Sequence, residues 1–520
     1  MKKKTGSILS TLTIKLALVV VVILIGTYLK LRLDFSRDKA FSLSPVSKEA
    51  VRTLEDNFVV KVLSSPELPS ELSSLNRYLK DLLTEYQLAG KGRFRFEYVR
   101  VASKDELFTM AHKNGLSIIR FQIYENDQIT TKEVIFGLVF EYQGKFDAIN
   151  LLPKQQPKLE YELTQRIQAL AGHSLPEISV FRDSTYFDFS TDIFEAALKA
   201  NFKIKDEYLT TPLKDTKALL FTGVARSLTE EQLYNLDQYL MRGGKIVFLQ
   251  DRIDTDSRNL YQIRSNVVDL LEHYGARLSE DIVLDYVCDV RQAGMGNMLH
   301  FPMYPVVRGS DHPITRNVEN VILYLASGIS TTKREGIKFE PLMITSMNSG
   351  WLKAPEFDLD PELFSNPTPE DFPESPIVVG ALLKGSFKSF FTGSELAQAD
   401  PNFVAESPQS ELVVFGDKEL VVTPDKQEYN ERGFIVLNAI DYLTERPSMI
   451  FIRSRHLSSS VLNIRYYMYK NELVWGDQEQ TEQRIKTTIK ITAIALPPLL
   501  LIFIGLFMAL RRKHILREAQ

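Results

Sequence analysis

The stretch from Lys217 to Asp251 constrains the fold most, because it has the pattern of a strand, a helix and a second strand. Ala218 to Phe221 and Ile246 to Leu249 are continuous apolar runs, as expected of strands that are covered on both faces of a parallel sheet. Units of this kind build right-handed, doubly wound sheets. The sequence therefore predicts an α/β fold.

The helix between the two strands carries its own start and stop signals. Thr229 and Gln232 have the spacing of a capping box and predict its first turn. Gly243 predicts its end, since glycine adopts the left-handed C-terminal conformation without a side-chain penalty. Leucines at positions 233, 236 and 240 recur at helical spacing, so one face of the helix should pack on the sheet.

Length and composition limit the classes of protein to consider. The chain has 520 residues, too many for one ordinary core, so two or more globular domains are expected. Its 44% hydrophobic and 25% charged residues are typical of globular protein. A net charge of −4 gives no reason to expect nucleic-acid binding. A single cysteine excludes an internal disulfide.

Two apolar stretches near the ends predict membrane spans. Ile8 to Leu29 and Ile491 to Leu510 are each long enough, at about 20 residues, to cross a bilayer. The first resembles an uncleaved signal anchor, because no A-x-A-like site follows it; the alternative is a signal peptide with Leu16 to Leu29 as its apolar region.

Pro497 and Pro498 predict a kink in the second span. The kink leaves backbone carbonyls without their helical hydrogen bonds. One interpretation is that a neighbouring helix pairs with them; the alternative is a single kinked anchor that contacts no other helix. Lysines and arginines flank both sides of the spans equally, so charge does not fix their orientation.

Several segments between the spans carry specific predictions. The first domain should contain a hairpin turn at Tyr142 to Lys145 and end in a helix at Leu159 to Leu170, closed by Gly172. A thioredoxin-like topology fits it, but the absence of a C-x-x-C motif excludes redox exchange. In the second domain, the prediction is for strands at 318–325 and 449–452, a long loop at 291–308 and a surface excursion at 351–376.

Catalytic and cofactor motifs are absent from the sequence. Cys288 lies in an apolar strand pattern without the strand-to-helix elbow of a nucleophile, so we interpret it as a small buried side chain. No G-x-S-x-G or G-x-x-x-x-G-K-[ST] motif occurs. The scattered histidines do not form a zinc motif. We expect no enzymatic activity, no cofactor and no ATP hydrolysis.

Three aspartates form the single candidate ligand site. Asp251, Asp254 and Asp256 follow the second strand of the central unit, the end at which doubly wound folds place ligands. Such carboxylates can bind a cation, but their spacing is not that of an EF-hand. The alternative is an ordinary solvated loop.

The central unit is also where the chain resembles a known family. The stretch LTEEQLYNLDQYLMRGGKIVFLQD is similar to the core of the GldG family, accessory components of ABC transport systems named for bacterial gliding motility. Five further stretches agree in order along nearly the whole chain: LDFSRDKAFSLSP, LEYELTQRIQAL, HYGARLSEDIVLD, HPITRNVENV and FIVLNAIDYLTERPSMIFIRSR. In this family, the central region resembles the class I glutamine-amidotransferase fold without its catalytic machinery.

The resemblance implies a domain organisation between the two transmembrane helices. Two periplasmic α/β domains are expected, the second an amidotransferase-like doubly wound sheet. The expected segments are an anchor and connector (1–40), a first α/β domain (41–172), an amidotransferase-like domain (173–456), a membrane-proximal connector (457–488), and a transmembrane helix with a basic tail (489–520).

The same resemblance implies a location and partners. The protein would lie in the bacterial inner membrane with both termini cytoplasmic, beside a GldF-like permease and a cytoplasmic GldA-like ATPase. It would be a non-enzymatic accessory subunit associated with gliding motility, able to engage a periplasmic or cell-envelope component. The alternative is a receptor that binds a small molecule, glycan or peptide between the two domains. A degenerate hydrolase that uses Cys288 is the third hypothesis.

Overall fold

The computed structural model describes residues 42–457 with short gaps, together with residue 487. The gaps are residues 100–102, 126–127, 153–157, 173–174, 184–191, 215, 256–259, 293–297, 319, 355–356, 365 and 423–430. Residues 42–457 belong to one compact unit; of a second unit, 458–520, only residue 487 is described. Both apolar stretches expected to cross a membrane, 8–29 and 491–510, lie outside the described residues. Within the described ranges, no helix is long and apolar enough to span a bilayer.

The first part of the chain forms a small α/β layer. Its elements are α1 (Pro45–Arg52), β1 (Phe58–Ser64), α2 (Ser70–Ala89), β2 (Phe94–Tyr98), α3 (Lys104–Lys113), β3 (Ile119–Glu125), β4 (Gln128–Val134), β5 (Phe136–Tyr142), β6 (Lys145–Asn150) and α4 (Leu159–Leu170). The sheet order is β2-β1-β5-β6, with β1 parallel to β2 and antiparallel to β5. A βαβ unit followed by a β-hairpin is a thioredoxin-like arrangement, as the sequence suggested.

The turn between β5 and β6 confirms the predicted hairpin. Gln143 and Gly144 both have positive φ, 48° and 76°, as a two-residue type I′ turn requires. Tyr142 and Lys145 face each other as the closing pair. Helix α3 is not predicted by the apolar periodicity, because only Leu107 and Ala111 of its side chains are buried.

Helix α4 contributes side chains to two cores. Leu163 and Ile167 pack with the four-stranded sheet. Tyr161 packs instead with the large sheet that follows, where Asn201 Nδ2 donates to its hydroxyl at 2.7 Å. The predicted helix and its closure by Gly172, at φ 74°, are confirmed. The domain boundary at residues 172 and 173 remains a prediction.

The rest of the unit is built on a ten-stranded sheet. The elements are β7 (Glu177–Phe181), α5 (Asp192–Asn201), β8 (Lys203–Glu207), β9 (Leu219–Phe221), α6 (Glu230–Met241), β10 (Ile246–Leu249), β11 (Ile253–Thr255), β12 (Leu260–Gln262), α7 (Asn266–Tyr274), β13 (Ala276–Asp285), β14 (Cys288–Gln292), β15 (Met298–Gly309), β16 (Val321–Ile322), β17 (Ser327–Thr331), β18 (Ile337–Ile344), β19 (Ser349–Leu352), β20 (Val378–Lys388), α8 (Glu395–Ala399), β21 (Glu406–Phe415), α9 (Glu431–Leu443) and α10 (Pro447–Leu457). Short 3₁₀ helices span Pro361–Phe364, Pro369–Asp371 and Lys418–Val421.

Half of this sheet has the predicted parallel, doubly wound form. Its strands run in the order β8-β7-β9-β10-β21, and each is parallel to its neighbour. This is the strand order of a flavodoxin-like doubly wound sheet. The other half, β20, β18, β15, β14 and β16, is antiparallel and was not predicted from the strand–helix–strand pattern.

Strand β10 shows how the two faces of the sheet are covered. Ile246 and Phe248 pack in one core with α6, whereas Val247 and Leu249 pack on the opposite face with α5 and α9. Burial on both faces explains the continuous apolar run. Helix α6 begins and ends as predicted, with a complete capping box at Thr229 and with Gly243 at φ 88°.

Two predictions in the second half are wrong. Residues 291–308, expected to form a loop, lie largely in the paired antiparallel strands β14 and β15, because glycine, proline and methionine weaken the strand signal without preventing pairing. Residues 449–452, expected to be a strand, belong to helix α10. A short apolar run fits a buried strand or a buried helix equally, and the helix begins at Pro447, a residue favoured in a first turn.

Two further segments differ in part from expectation. Among the described residues of the strand predicted at 318–325, only Val321–Ile322 pairs in a sheet, with β15. The predicted surface excursion at 351–376 covers a small core instead of lying free in solvent. Phe372 from this segment is 1% exposed and packs with Ile282 and Met303.

Candidate functional site

The structure describes two of the three aspartates that the sequence grouped. Asp251 follows β10, is 2% exposed and lies at the carboxyl end of the parallel strands. Asp254 lies in the short strand β11. Asp256 lies outside the described residues. The grouping of all three aspartates in one ligand site stays a prediction.

Asp251 has two other acidic neighbours, Asp417 and Glu419. One carboxylate oxygen from each of these three residues lies within 4.8 Å of the others. Residues 417 and 419 follow β21, which pairs with β10 in parallel register, so both strands deliver carboxylates to the same edge. The apolar run at 412–415 is the sequence signal for them, because the carboxyl-end rule places the residues that follow such a strand at the same edge. We call Asp251, Asp417 and Glu419 the carboxylate cluster.

Gly416 fixes the position of Asp417. A Cβ atom at this residue would lie 2.1 Å from the carbonyl oxygen of Ser327. The close approach allows the N–H of Ser327 to donate to the Gly416 carbonyl at 2.8 Å, while the N–H of Gly416 donates to the Val379 carbonyl at 3.0 Å. A larger residue would displace the end of β21 and the carboxylate that follows it.

Lys418 lies within the cluster and holds two aspartates. Its backbone N–H donates to Asp251 Oδ1 at 2.7 Å, and its ammonium donates to Asp254 Oδ1 at 2.8 Å. The same Nζ is 3.8 Å from Glu419 Oε1, beyond hydrogen-bond range. Only 4% of the Lys418 side chain is exposed, so this charge is offset by the carboxylates rather than by solvent.

Asp417 is the least satisfied member of the cluster. It is 1% exposed, and its Oδ2 accepts from the N–H of Tyr324 at 3.0 Å. Its Oδ1 has no hydrogen-bond partner among the described residues. A buried oxygen in this state costs free energy unless a proton or a cation reaches it.

Burial dominates the electrostatics of the site. Desolvation raises the pKa of Asp251 and of Glu419 well above their ordinary values, and it raises the pKa of Asp417. For Lys418, burial acts to lower the pKa, but the charges of Asp251, Glu419 and Asp254 outweigh it and the pKa is raised. The carboxylates therefore compete for protons while the lysine stays charged.

Cys288 does not have the environment of a nucleophile. It opens strand β14 and is half-buried, and burial raises the pKa of its thiol to about 12. A thiol with this pKa is protonated at neutral pH and is a poor nucleophile. This agrees with the packing interpretation of Cys288.

Asp285, a buried carboxylate outside the carboxylate cluster, should make the free energy of unfolding of the protein depend on pH. Val287 N and Ser346 Oγ donate to its Oδ1 at 2.7 and 2.6 Å, and Ser346 N donates to Oδ2 at 2.6 Å. Burial nevertheless raises its pKa from 3.8 to about 6. Because the folded-state pKa is the higher one, the stabilisation is present below about pH 4 and is lost as the pH rises through about 6.

We therefore expect the wild type to lose about 2–3 kcal/mol of stability relative to Asp285→Asn between pH 4 and pH 7. The free energy of unfolding of both proteins, measured at each pH, gives this difference. Asp311→Asn, at an exposed aspartate, should show no such change with pH. A constant difference between wild type and Asp285→Asn would contradict the prediction.

Comparison with known proteins identifies the family. A model described as "ABC-type uncharacterized transport system", for auxiliary components of these transporters, matches residues 164–437, more than half of the chain. The chain belongs to this family. The match covers the parallel half of the large sheet and the carboxylate cluster. A second model, Domain of unknown function (DUF7088), matches residues 37–141.

Two individual proteins complete the comparison. An uncharacterized protein of Borreliella burgdorferi is 22% identical over 520 residues, spanning 97% of this chain and 98% of that protein. The solved mmIFT52 N-terminal domain is 16% identical and covers 51% of this chain and 97% of its own, with a TM-score of 0.32. A TM-score this low does not establish a shared fold.

Proposed function

We propose that this ABC transport auxiliary protein is a non-enzymatic, membrane-anchored subunit that binds a permease and its ATPase. Membership of the auxiliary family, carried by residues 164–437, is the main support. Two apolar stretches, 8–29 and 491–510, bracket the described unit in the sequence and would anchor it on both sides. The protonated thiol of Cys288 and the lack of nucleophile motifs support a role other than catalysis.

Finer parts of the proposal rest on the resemblance to the GldG family. The permease would be GldF-like and the cytoplasmic ATPase GldA-like, in a system related to gliding motility. The body would lie in the periplasm and both tails in the cytoplasm. The unit would receive or transmit conformational change, or engage a cell-envelope component, through its α/β surfaces.

A pull-down from solubilised membranes tests the partnership. We expect tagged full-length protein to recover a permease and an ATPase, identified by mass spectrometry. The matched control keeps residues 30–490 and replaces both apolar stretches with unrelated apolar helices of equal length. If the spans form the contact with the permease, this control should recover neither partner.

Other outcomes have distinct meanings. Unchanged recovery with the replaced helices would place the contact on the body and contradict an association through the spans. Recovery of this protein alone, in a detergent that preserves other ABC complexes, would contradict the subunit proposal and favour a ligand-binding receptor. A cleft of about 750 Å³ lined by Arg252, Arg277 and Trp351 would then be the first place to look for a ligand.

A further inference from the structure

We propose that Asp251, Asp417 and Glu419 bind one hard divalent cation, Ca²⁺ or Mg²⁺, at the carboxyl ends of β10 and β21. Oxygen atoms that share an ion at about 2.1–2.5 Å lie roughly 3–5 Å from one another. The three carboxylates fall within that range, since the ligand atoms lie within 4.8 Å. The site does not depend on the proposed permease contact, so each can fail without the other.

The unpartnered oxygen of Asp417 points to a ligand independently of the acidic composition. Oδ1 of Asp417 is buried and has no hydrogen-bond donor among the described residues, although Oδ2 of the same carboxylate is paired. A cation coordinated by Asp417 would supply a partner to this carboxylate. A purely structural network would be expected to satisfy both oxygens.

The charge balance of the site favours a divalent ion. Four carboxylates, at residues 251, 254, 417 and 419, interact with two cationic side chains, Lys418 and Arg432. Four negative charges less two positive charges leave a net charge of −2 when all the groups are ionised. One divalent cation neutralises it, whereas the isolated cluster must take up protons instead.

The donor set determines the class of metal. Carboxylate oxygens are hard ligands that suit Ca²⁺ and Mg²⁺, and no thiolate or imidazole belongs to the cluster. Three carboxylates fill part of the coordination sphere of either ion, and water would complete it. Glu419 provides a route for entry, since 16% of its side chain is exposed.

Proton competition gives the site a pH signature. Without an ion, three buried carboxylates this close together favour the uptake of protons, because burial and mutual repulsion penalise their charged forms. A bound cation would compete with these protons. Cation affinity should therefore rise with pH, as is general for ligands that must be deprotonated.

Calorimetric titration of the full-length chain tests the site. The protein is stripped with EDTA, dialysed, and titrated separately with CaCl₂ and MgCl₂ at constant ionic strength. We expect saturable binding of at least one ion with a stoichiometry of one, tighter at pH 8 than at pH 6. The thermal unfolding midpoint should rise with the concentration of that ion.

Two variants locate the binding. Asp417→Asn and Glu419→Gln should each weaken binding about tenfold or more, since ligand charge sets the affinity of such sites. Both substitutions relieve repulsion between carboxylates, so each variant should be at least as stable as the wild type in EDTA. Glu335→Gln, at an exposed glutamate, is the matched control and should bind like the wild type.

Two results would overturn the assignment. Absence of saturable Ca²⁺ and Mg²⁺ binding by the wild type would leave a proton-sharing cluster with no ion. Binding that is unchanged in both Asp417→Asn and Glu419→Gln would place the ion elsewhere in the chain.

Discussion

Replacing Arg453 with methionine is expected to lower the free energy of unfolding by about 3–5 kcal/mol. Arg453 is 0% exposed in helix α10, and its guanidinium forms an ion pair with Asp441, also 0% exposed. Its Nη1 donates to Asn438 Oδ1 at 2.7 Å, and the guanidinium lies 5.4 Å from the centre of the Tyr161 ring. Methionine would fill most of the space but would leave Asp441 charged and buried, with Arg446, at 3.1 Å, as its one remaining ionic partner among the described residues.

Thermal unfolding of full-length protein, followed by circular dichroism, measures the loss as a fall of several degrees in the midpoint. Arg52→Met, at an exposed arginine of α1, should change the midpoint little. The double variant Arg453→Met with Asp441→Leu removes both charges and should recover at least half of the loss. A double variant as unstable as the single one would show that packing, rather than the stranded carboxylate, accounts for the effect.

The second large effect is expected at Asp237, a buried carboxylate on α6. The hydroxyl of Tyr274 and the N–H of Phe390 donate to its Oδ1 at 2.9 and 2.8 Å. The hydroxyl of Ser389 and the amide of Gln238 donate to Oδ2 at 2.7 and 3.0 Å. Asp237 thereby links α6 to α7 and to the segment that follows β20.

Asp237→Asn should cost about 2–4 kcal/mol, because an NH₂ group would replace one acceptor oxygen and face a buried hydroxyl donor, that of Tyr274 or Ser389. Urea unfolding of wild type and variant under the same conditions gives the difference. Asp269→Asn, at an exposed aspartate in the first turn of α7, serves as the control and should lose less than about 1 kcal/mol. Equal losses in the two variants would contradict the role of Asp237 as a shared acceptor.

The sequence predicted the ends of an element correctly where residues within or next to that element determine them. The capping box at Thr229, the glycine after α6 and the hairpin turn at Gln143 are set by backbone conformation within a few residues. Helix α10 is different, because its apolar run fits a strand as well as a helix. The ion pair between Arg453 and Asp441 forms only when α9 and α10 pack, and that contact is not visible in a local pattern.

The candidate site also depends on contacts that a local sequence pattern does not show, here between residues far apart along the chain. Asp251 could be placed at the end of a parallel strand because its own strand–helix–strand unit is plain in the sequence. Asp417 lies 166 residues further along the chain and becomes its neighbour only through the pairing of β10 with β21. The sequence offered Asp254 and Asp256 as partners by proximity along the chain, whereas the sheet supplied Asp417 and Glu419 by proximity in space.

Helix α4 connects the core of the small sheet to the core of the large sheet. Its leucine and isoleucine side chains pack with the small sheet. Tyr161, on the same helix, accepts a hydrogen bond from Asn201 and packs edge-on against Phe434, with the ring centroids 5.6 Å apart. A force on the small sheet therefore reaches the large one through the side chains of one helix, so the two sheets are mechanically coupled.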